Sequence, residues 1–392
     1  MQETTTTVHY ALLQAAYSMA YAGVGAFCSV FLLEKGFSNS EIGLCLCCAS
    51  LFSFFVQPVT ADLADRSDKI SLSALLFQVL LAVSIFAGSL LLFRSKSLVL
   101  FVIYVLTIGC HGLFQPLVNS LSFRLEETGH PVNFGICRAC GSLGFALAAL
   151  VTGSLVNHYG TYMGPISTIV CLAITAIPLF FLSKEISTSK KGENSVSSSG
   201  SLLSFLKENR SFLFLCGGIF LFCLHMYLLN SFLTQITASL NGNAGDIGKL
   251  SSLASIVEVP MMSAFSVLNR KFKTVHLLRF SLLGFLLKAL FIFLARDLSL
   301  IYLAYSTQGI GYAIFYPAMV RYIREIVPAK DIVKAQSLFT MMMTASGIVA
   351  SVIGGYILDL SGVKILTATA LGLSLLGTAF IFFVIAHIER KR

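Results

Sequence analysis

Of the 392 residues, 56% are Ala, Val, Ile, Leu, Met, Phe, Trp, Tyr or Cys and only 11% are Asp, Glu, Lys or Arg, with a mean hydropathy of +0.84. Soluble domains run near ~45–50% apolar and ~25% charged, so the composition excludes a soluble globular protein and fits a polytopic membrane protein. The net charge of +9 sits in short basic clusters between apolar runs, as topology signals do, and nucleic-acid binding is set aside on that ground.

A helical bilayer span needs about 20 apolar residues. Twelve such runs follow in chain order, over 8–33, 40–63, 70–93, 97–122, 134–157, 163–183, 211–239, 246–268, 275–295, 299–325, 333–358 and 363–388. The stretch before the first, "MQETTTTVHY", is polar without Lys or Arg, and the helix after it is full length, so the first span is expected to stay in the mature protein. Most connections are tight and polar, such as "EKGFSNS", "RSKS" and "LNGNAG". One differs: "SKEISTSKKGENSVSSSGS" over 183–201 has the Ser- and Lys-rich composition of a flexible linker. The expected organisation is a six-span half over 1–183, a linker over 184–210 and a second six-span half over 211–392.

The halves repeat. "SEIG" (Ser40–Gly43) opens span two as "GDIG" (Gly245–Gly248) opens span eight, at an offset of 205. "LFQP" ending at Pro116 matches "IFYP" ending at Pro317, at 201, and "GSLVNHYG" (Gly153–Gly160) matches "GYILDLSG" (Gly355–Gly362), at 202. Near-constant offsets on equivalent spans indicate two parallel six-helix repeats. Pro58, Pro116, Pro260 and Pro317 are expected to bend paired spans so that the halves can rock.

Charge sets the expected orientation. Of the 27 Lys and Arg, six (Lys35, Arg94, Lys96, Lys249, Arg296 and Lys364) fall on one side, Lys288 lies within span nine, and 20 fall on the side of the termini and linker. Both termini are therefore expected in the cytoplasm, with the protein in the cell (inner or plasma) membrane.

Motifs for other chemistry are missing. There is no HExxH, no GxSxG elbow and no Walker lysine loop, so neither an enzyme nor an ATP-driven pump is expected. The ten cysteines, including Cys45, Cys47, Cys48, Cys137 and Cys140, lie in or beside apolar runs without a completing Cys/His set. They read as small helix filler, and no metal or cofactor is expected. His111 and His225 read as packing residues, and Asn119, Gln115 and Asn230 equally as interhelix hydrogen-bonding residues or site residues.

Twelve spans as six plus six around a central linker resemble the major facilitator superfamily, over nearly the whole chain. More specifically, Ser50-Leu51-Phe52-Ser53, Gln57-Pro58, Leu63 and Asp65 resemble the second span of the lactose/oligosaccharide:proton symporter group. Phe134-Gly135, Arg138, Gly141, Gly144, Ala146 and Leu147 resemble that group's fifth span, in which the arginine binds sugar. "LADRSDK" (Leu63–Lys69) is a degraded form of the superfamily's loop after span two, with Asp68 where a glycine is usual. The resemblance implies an acid on span eight that handles protons and sugar, here Glu258, and a basic residue near it on span nine, here Lys288. It also shows departures. Asn119 stands where an acid partners the span-five arginine, Gln308 and Gly311 stand where span ten carries His and Glu, and His225 and Asn230 are the comparable polar residues on span seven.

Glu258 sits in "SIVEVPMM" (Ser255–Met262), about 18 Å along span eight from Asp246, and Lys288 lies at a matching depth to within roughly 5 Å, so the two are expected to meet across the hairpin. A carboxylate that deep is retained when something pairs with it or uses it. It serves either as a packing partner of Lys288 or as a proton-coupling acid that Lys288 modulates. Arg138 is either a positive-inside anchor or a fork of five donors for hydroxyls or a carboxylate.

The expected function is secondary active, proton-coupled uptake of a small polar metabolite, a sugar or oligosaccharide first, by alternating access. Arg138, Asn119, Glu258 and Asn230 are the candidate substrate-binding residues, with Glu258 and Lys288 coupling protons. Alternatives are import of a carboxylated compound such as an aromatic acid, drug/proton antiport, or a non-transporting membrane sensor, against which stands the lack of a sizeable soluble segment. The expected partners are a small-molecule substrate, protons and the bilayer, with the protein a monomer.

Overall fold

Every element among the described residues is a helix, as hydrocarbon demands of a spanning segment whose backbone groups must pair within it. A computed structural model describes residues 2–66, 71–127, 129–186, 209–328 and 331–391. Most of the predicted linker, and residues 67–70 of "LADRSDK" with the side chains of Asp65 and Arg66, lie outside the described residues.

Among the described residues ten helices are long and apolar enough to cross a membrane. Two predicted spans are hidden in that number. Spans eleven and twelve share one helical run, Ile332–Lys391, turned at Gly362. Span ten is broken into Leu298–Ser306, a tight turn over Thr307–Gly309, and Tyr312–Ile326. The chain is therefore an all-α, twelve-span membrane protein. Span one runs Gln2–Tyr21, a wide turn Ala22–Ala26 and Cys28–Glu34; span two is Asn39–Arg66; span three is Leu72–Leu90. Span four is Leu98–His111 and Phe114–Glu127, span five Phe134–Tyr159 and span six Met163–Ile186. Span seven is Arg210–Ser231 with Leu233–Ala238, span eight Ala244–Lys271 and span nine Thr274–Leu294.

Side-chain caps fix where several spans begin. The Ser71, Ser97, Asn133 and Asp297 side chains accept from the backbone N–H three residues on, at 3.1 to 3.3 Å, opening spans three, four, five and ten. The internal repeat reaches the backbone itself. Gly160 (φ 103°, ψ 172°) and its counterpart Gly362 (φ 76°, ψ −176°) adopt the same conformation, one open essentially to glycine alone. Pro58, Pro260 and Pro317 lie inside helices, and Pro116 lies near the start of the second segment of span four.

Packing divides the described residues into two units. One joins those up to residue 186 with Gly242–Ser255, the first part of span eight; the other holds 209–241 and 256–391. The first is cored by Tyr10, Leu13, Leu76, Phe114, Leu117 and Leu121, the second by Phe222, Phe285, Phe315, Tyr322 and Phe339. Span eight enters the first unit at a glycine contact with span five. A Cβ on Gly153 would lie 2.8 Å from the Ala244 carbonyl oxygen and 2.9 Å from Gly248 Cα, and one on Gly248 would strike the Ala149 carbonyl. The two backbones touch with no side chain between them.

Candidate functional site

In the first unit, helical spacing brings side chains of four spans to one cavity of about 270 Å³. Span one supplies Tyr17, Ser18 and Tyr21, span four His111, Gly112 and Gln115, span five Arg138, Gly141, Ser142 and Phe145, and span eight Ser255. Residues three and four apart share a helix face, which is why 138, 141, 142 and 145 line it together. Gly141 makes room: a Cβ there would lie 3.1 Å from Ser18 Oγ and 3.3 Å from Arg138 Nη1.

The lining pairs aromatic faces with hydrogen-bonding groups. The rings of Tyr21 and His111 lie 5.2 Å apart, and those of Tyr21 and Phe145 lie 6.3 Å apart. The Tyr17 hydroxyl donates to Gln115 Oε1, and Gln115 Nε2 donates in turn to Asn119 Oδ1 at 2.8 Å. His111 is buried, with Nε2 3.1 Å from the Tyr17 carbonyl oxygen. Arg138 is exposed and, among the described residues, is the one charged side chain that lines the cavity. Such a wall can cover the apolar face of a ring while the guanidinium, amide and hydroxyls engage polar substituents. Asn119 stands behind the lining, joined to it through Gln115. Sequence reasoning missed Tyr17, Tyr21, Ser142 and Phe145; the available signal was their spacing of three and four on spans one and five.

In the second unit, a hydrogen-bonded chain links three predicted residues through one that was read only as a departure. Gln308 Nε2 donates to Glu258 Oε1 at 2.9 Å, and Lys288 Nζ donates to Gln308 Oε1 at 2.7 Å. Lys288 Nζ also lies 3.5 Å from Asn230 Oδ1 and 4.1 Å from the centroid of the Tyr305 ring. Lys288 is only 4% exposed, Glu258 is half-buried and Asn230 is exposed. The expected meeting of Glu258 and Lys288 is thus made through an amide. Nearby, His225 is fully buried between the rings of Phe222 and Phe285, at 4.7 and 5.7 Å, and contacts the Phe222 carbonyl.

The break in span ten positions the amide. A Cβ on Gly309 would lie 2.7 Å from the Val257 carbonyl, beside Glu258, and one on Gly284 would lie 3.1 Å from the Gly311 backbone nitrogen. The turn is clamped between spans eight and nine. Among the described residues, no group of three or more His, Cys, Asp or Glu is placed to hold a metal ion.

Residues 10–368 match the profile of the MFS_1 like family. The chain is 27% identical over 354 residues to the maltose permease of Geobacillus stearothermophilus, covering 87% of this chain and 84% of that one. It is 25% identical over 363 residues to the uncharacterized transporter YwbF of Bacillus subtilis (strain 168), covering 90% and 87%. Among solved structures, a variant of the nucleoside transporter NupG is similar with a TM-score of 0.80 at 14% identity, over 97% of this chain and 99% of that one. The POT family transporter PepTSo is similar with a TM-score of 0.72 at 11% identity, over 99% of each chain. At these identities the structural likenesses are of fold.

Proposed function

The chain belongs to the MFS_1 like family and is a membrane transporter of the major facilitator type; from that premise we propose that it takes up a sugar or oligosaccharide together with protons. The single observation that carries this reading is the cavity at Arg138, where aromatic faces stand beside a guanidinium, an amide and hydroxyls. Carbohydrates present that pair of surfaces, apolar C–H faces edged by hydroxyls, and rings plus planar donors are complementary to both. The relative described as a maltose permease supports the choice.

In this reading the halves 1–183 and 211–392 alternate access to the substrate, with both termini in the cytoplasm and the protein in the cell membrane. Arg138 and Gln115 hold substrate hydroxyls, Asn119 orients Gln115, and Glu258 takes up and releases the coupled proton while Lys288 and Asn230 respond to its charge. Purified protein in liposomes preloaded with maltose should accumulate labelled external maltose by counterflow. A thermal-shift series of maltose, maltotriose and monosaccharides should raise the unfolding temperature for the substrate, because a ligand that binds only the folded state stabilises it by mass action. Absence of both effects across the sugars would remove the carbohydrate assignment.

One observation favours a second reading, import of a carboxylated compound. Among the described residues Arg138 is the one charge lining the cavity and it is positive, suited to a bidentate carboxylate. Benzoate and hydroxybenzoates belong in the same thermal-shift series.

A further inference from the structure

We propose that Gln308 is the positioning residue that couples Glu258 to Lys288, so that a change of charge on the span-eight acid is passed to the span-nine amine through the polarity of one amide.

Three observations carry it. First, the amide is used at both ends, with Nε2 donating to Glu258 at 2.9 Å and Oε1 accepting from Lys288 at 2.7 Å. The direction is chemically fixed: an ammonium only donates and an ionised carboxylate only accepts, so the reversed amide would set donor against donor and acceptor against acceptor. Second, the residue is held where it stands. Gln308 is 7% exposed, on the turn that breaks span ten, and the close approaches of Gly309 to Val257 and of Gly284 to Gly311 leave that turn little room to move. Third, Lys288 has an alternative. Asn230 Oδ1 lies 3.5 Å from Nζ, a longer contact that can shorten when the bond to Gln308 weakens.

The consequence is a relay. With Glu258 ionised, the amide is locked and Lys288 is tied to span ten. When a proton binds Glu258, forming its O–H bond, the carboxyl no longer demands a donor and the amide is released to turn its oxygen toward that O–H. Its Nε2 then faces the ammonium, and Lys288 shifts toward Asn230 on span seven. Among the described residues the other titratable side chains beside Lys288 are His225 on span seven and Tyr305 on span ten. The functional weight of this relay rests on the reading of Glu258 as the proton-coupling acid; the juxtaposition itself does not.

The test is a mutant cycle on the purified full-length protein, read by unfolding temperature, with Glu258→Gln and Lys288→Met made singly and together in the native and the Gln308→Met backgrounds. Coupled residues depart from additivity and independent ones do not. In the native background the double variant should depart from the sum of the singles by about 3 °C or more; with Gln308→Met the departure should fall below about 1 °C. Should Gln308→Met not fold, Gln308→Leu serves, because its side chain can neither donate to Glu258 nor accept from Lys288; the loss of coupling is expected again. Non-additivity that survives either substitution, or that is missing from the native background, overturns the proposal.

A purely structural role is separated by the pH profile. The step in unfolding temperature that disappears in Glu258→Gln should have its midpoint displaced by about one pH unit or more in the Gln308 variant, and an unchanged midpoint overturns the coupling role. If instead Glu258→Gln liposomes still concentrate maltose against its gradient, the proton-coupling reading fails while the cycle still decides the place of Gln308.

Discussion

The Lys288 ammonium stands 4.1 Å from the centroid of the Tyr305 ring, and the hydroxyl of that buried tyrosine has no hydrogen-bond partner among the described residues. The ring is therefore used for its face and not for its oxygen. A buried hydroxyl without a partner is unfavourable, whereas a desolvated cation over an aromatic face gains up to about 2 kcal/mol. Tyr305→Phe is expected to leave thermal stability unchanged or raise it by up to about 1 kcal/mol, and Tyr305→Leu to lower it by about 1–2 kcal/mol. Equal losses from Phe and Leu would show that the hydroxyl is bonded after all.

A second prediction concerns the glycine contact of spans five and eight. Gly248→Val would drive a branched side chain into the Ala149 carbonyl, and overpacking of this kind costs about 1–3 kcal/mol. Gly217, within span seven, has open space where a methyl group on its Cα would project, with nothing within 4 Å, so Gly217→Ala should instead stabilise by up to about 1 kcal/mol through helix propensity. Unfolding temperatures of the two variants should move in opposite directions.

The twelve spans were legible because hydrocarbon imposes a length and a composition on each of them, and the repeat because its marker is a glycine that the backbone requires. Gly160 and Gly362 were aligned as letters and share their φ and ψ as residues. The chain between Glu258 and Lys288 was only half legible. Depth along straight helices brought the two to one level, but the bridging residue comes from a broken helix, and the break depends on Gly309 meeting the Val257 carbonyl and Gly284 meeting Gly311. Those are contacts between spans far apart in sequence, and no local pattern announces them. The same holds for the grouping of Gly242–Ser255 with the first unit, which follows from the backbone approach of Gly153 and Gly248.

Topology is checked by labelling. The basic side of the spans carries the linker, so a cysteine replacing Ser197 should react with a membrane-impermeant maleimide only after the cells are opened. A cysteine replacing the exposed Asn243, between spans seven and eight, should react in intact cells. The native cysteines would first be replaced by serine or alanine. Labelling of Ser197→Cys from outside would invert the orientation.

Arg138 offers a fork of five donors to the cavity, and lysine offers a point charge. Arg138→Lys should keep the unfolding temperature within about 2 °C of the native protein, because the side chain is exposed and both residues keep the positive charge. Affinity for the transported substrate should nevertheless fall at least about 100-fold, the equivalent of two lost charge-assisted hydrogen bonds. Undiminished binding by the lysine variant would assign Arg138 to anchoring at the membrane surface.

Glu258 carries the assignment that is easiest to overturn. Among the carboxyl, amine and guanidinium groups of the predicted spans, Arg138, Glu258 and Lys288 are the candidates for handling a proton or a substrate's charge. An arginine does not release its proton in proteins, which leaves the carboxyl and the amine. Lys288 is almost fully buried and donates to Gln308, an arrangement that uses its proton, whereas Glu258 is only half-buried. Glu258→Gln keeps an amide or acid-like shape at that position, can still hydrogen-bond Gln308, and removes the exchangeable proton. Exchange of labelled for unlabelled substrate across liposomes requires no net proton movement and should persist within about threefold of the native rate, since that change is under 1 kcal/mol in barrier. Accumulation driven by an imposed pH difference requires the proton to travel with substrate and should be lost. If the variant still concentrates substrate when the pH gradient is imposed, the carboxylate in "SIVEVPMM" serves to hold Gln308 and Lys288 in place, and the coupled ion enters elsewhere.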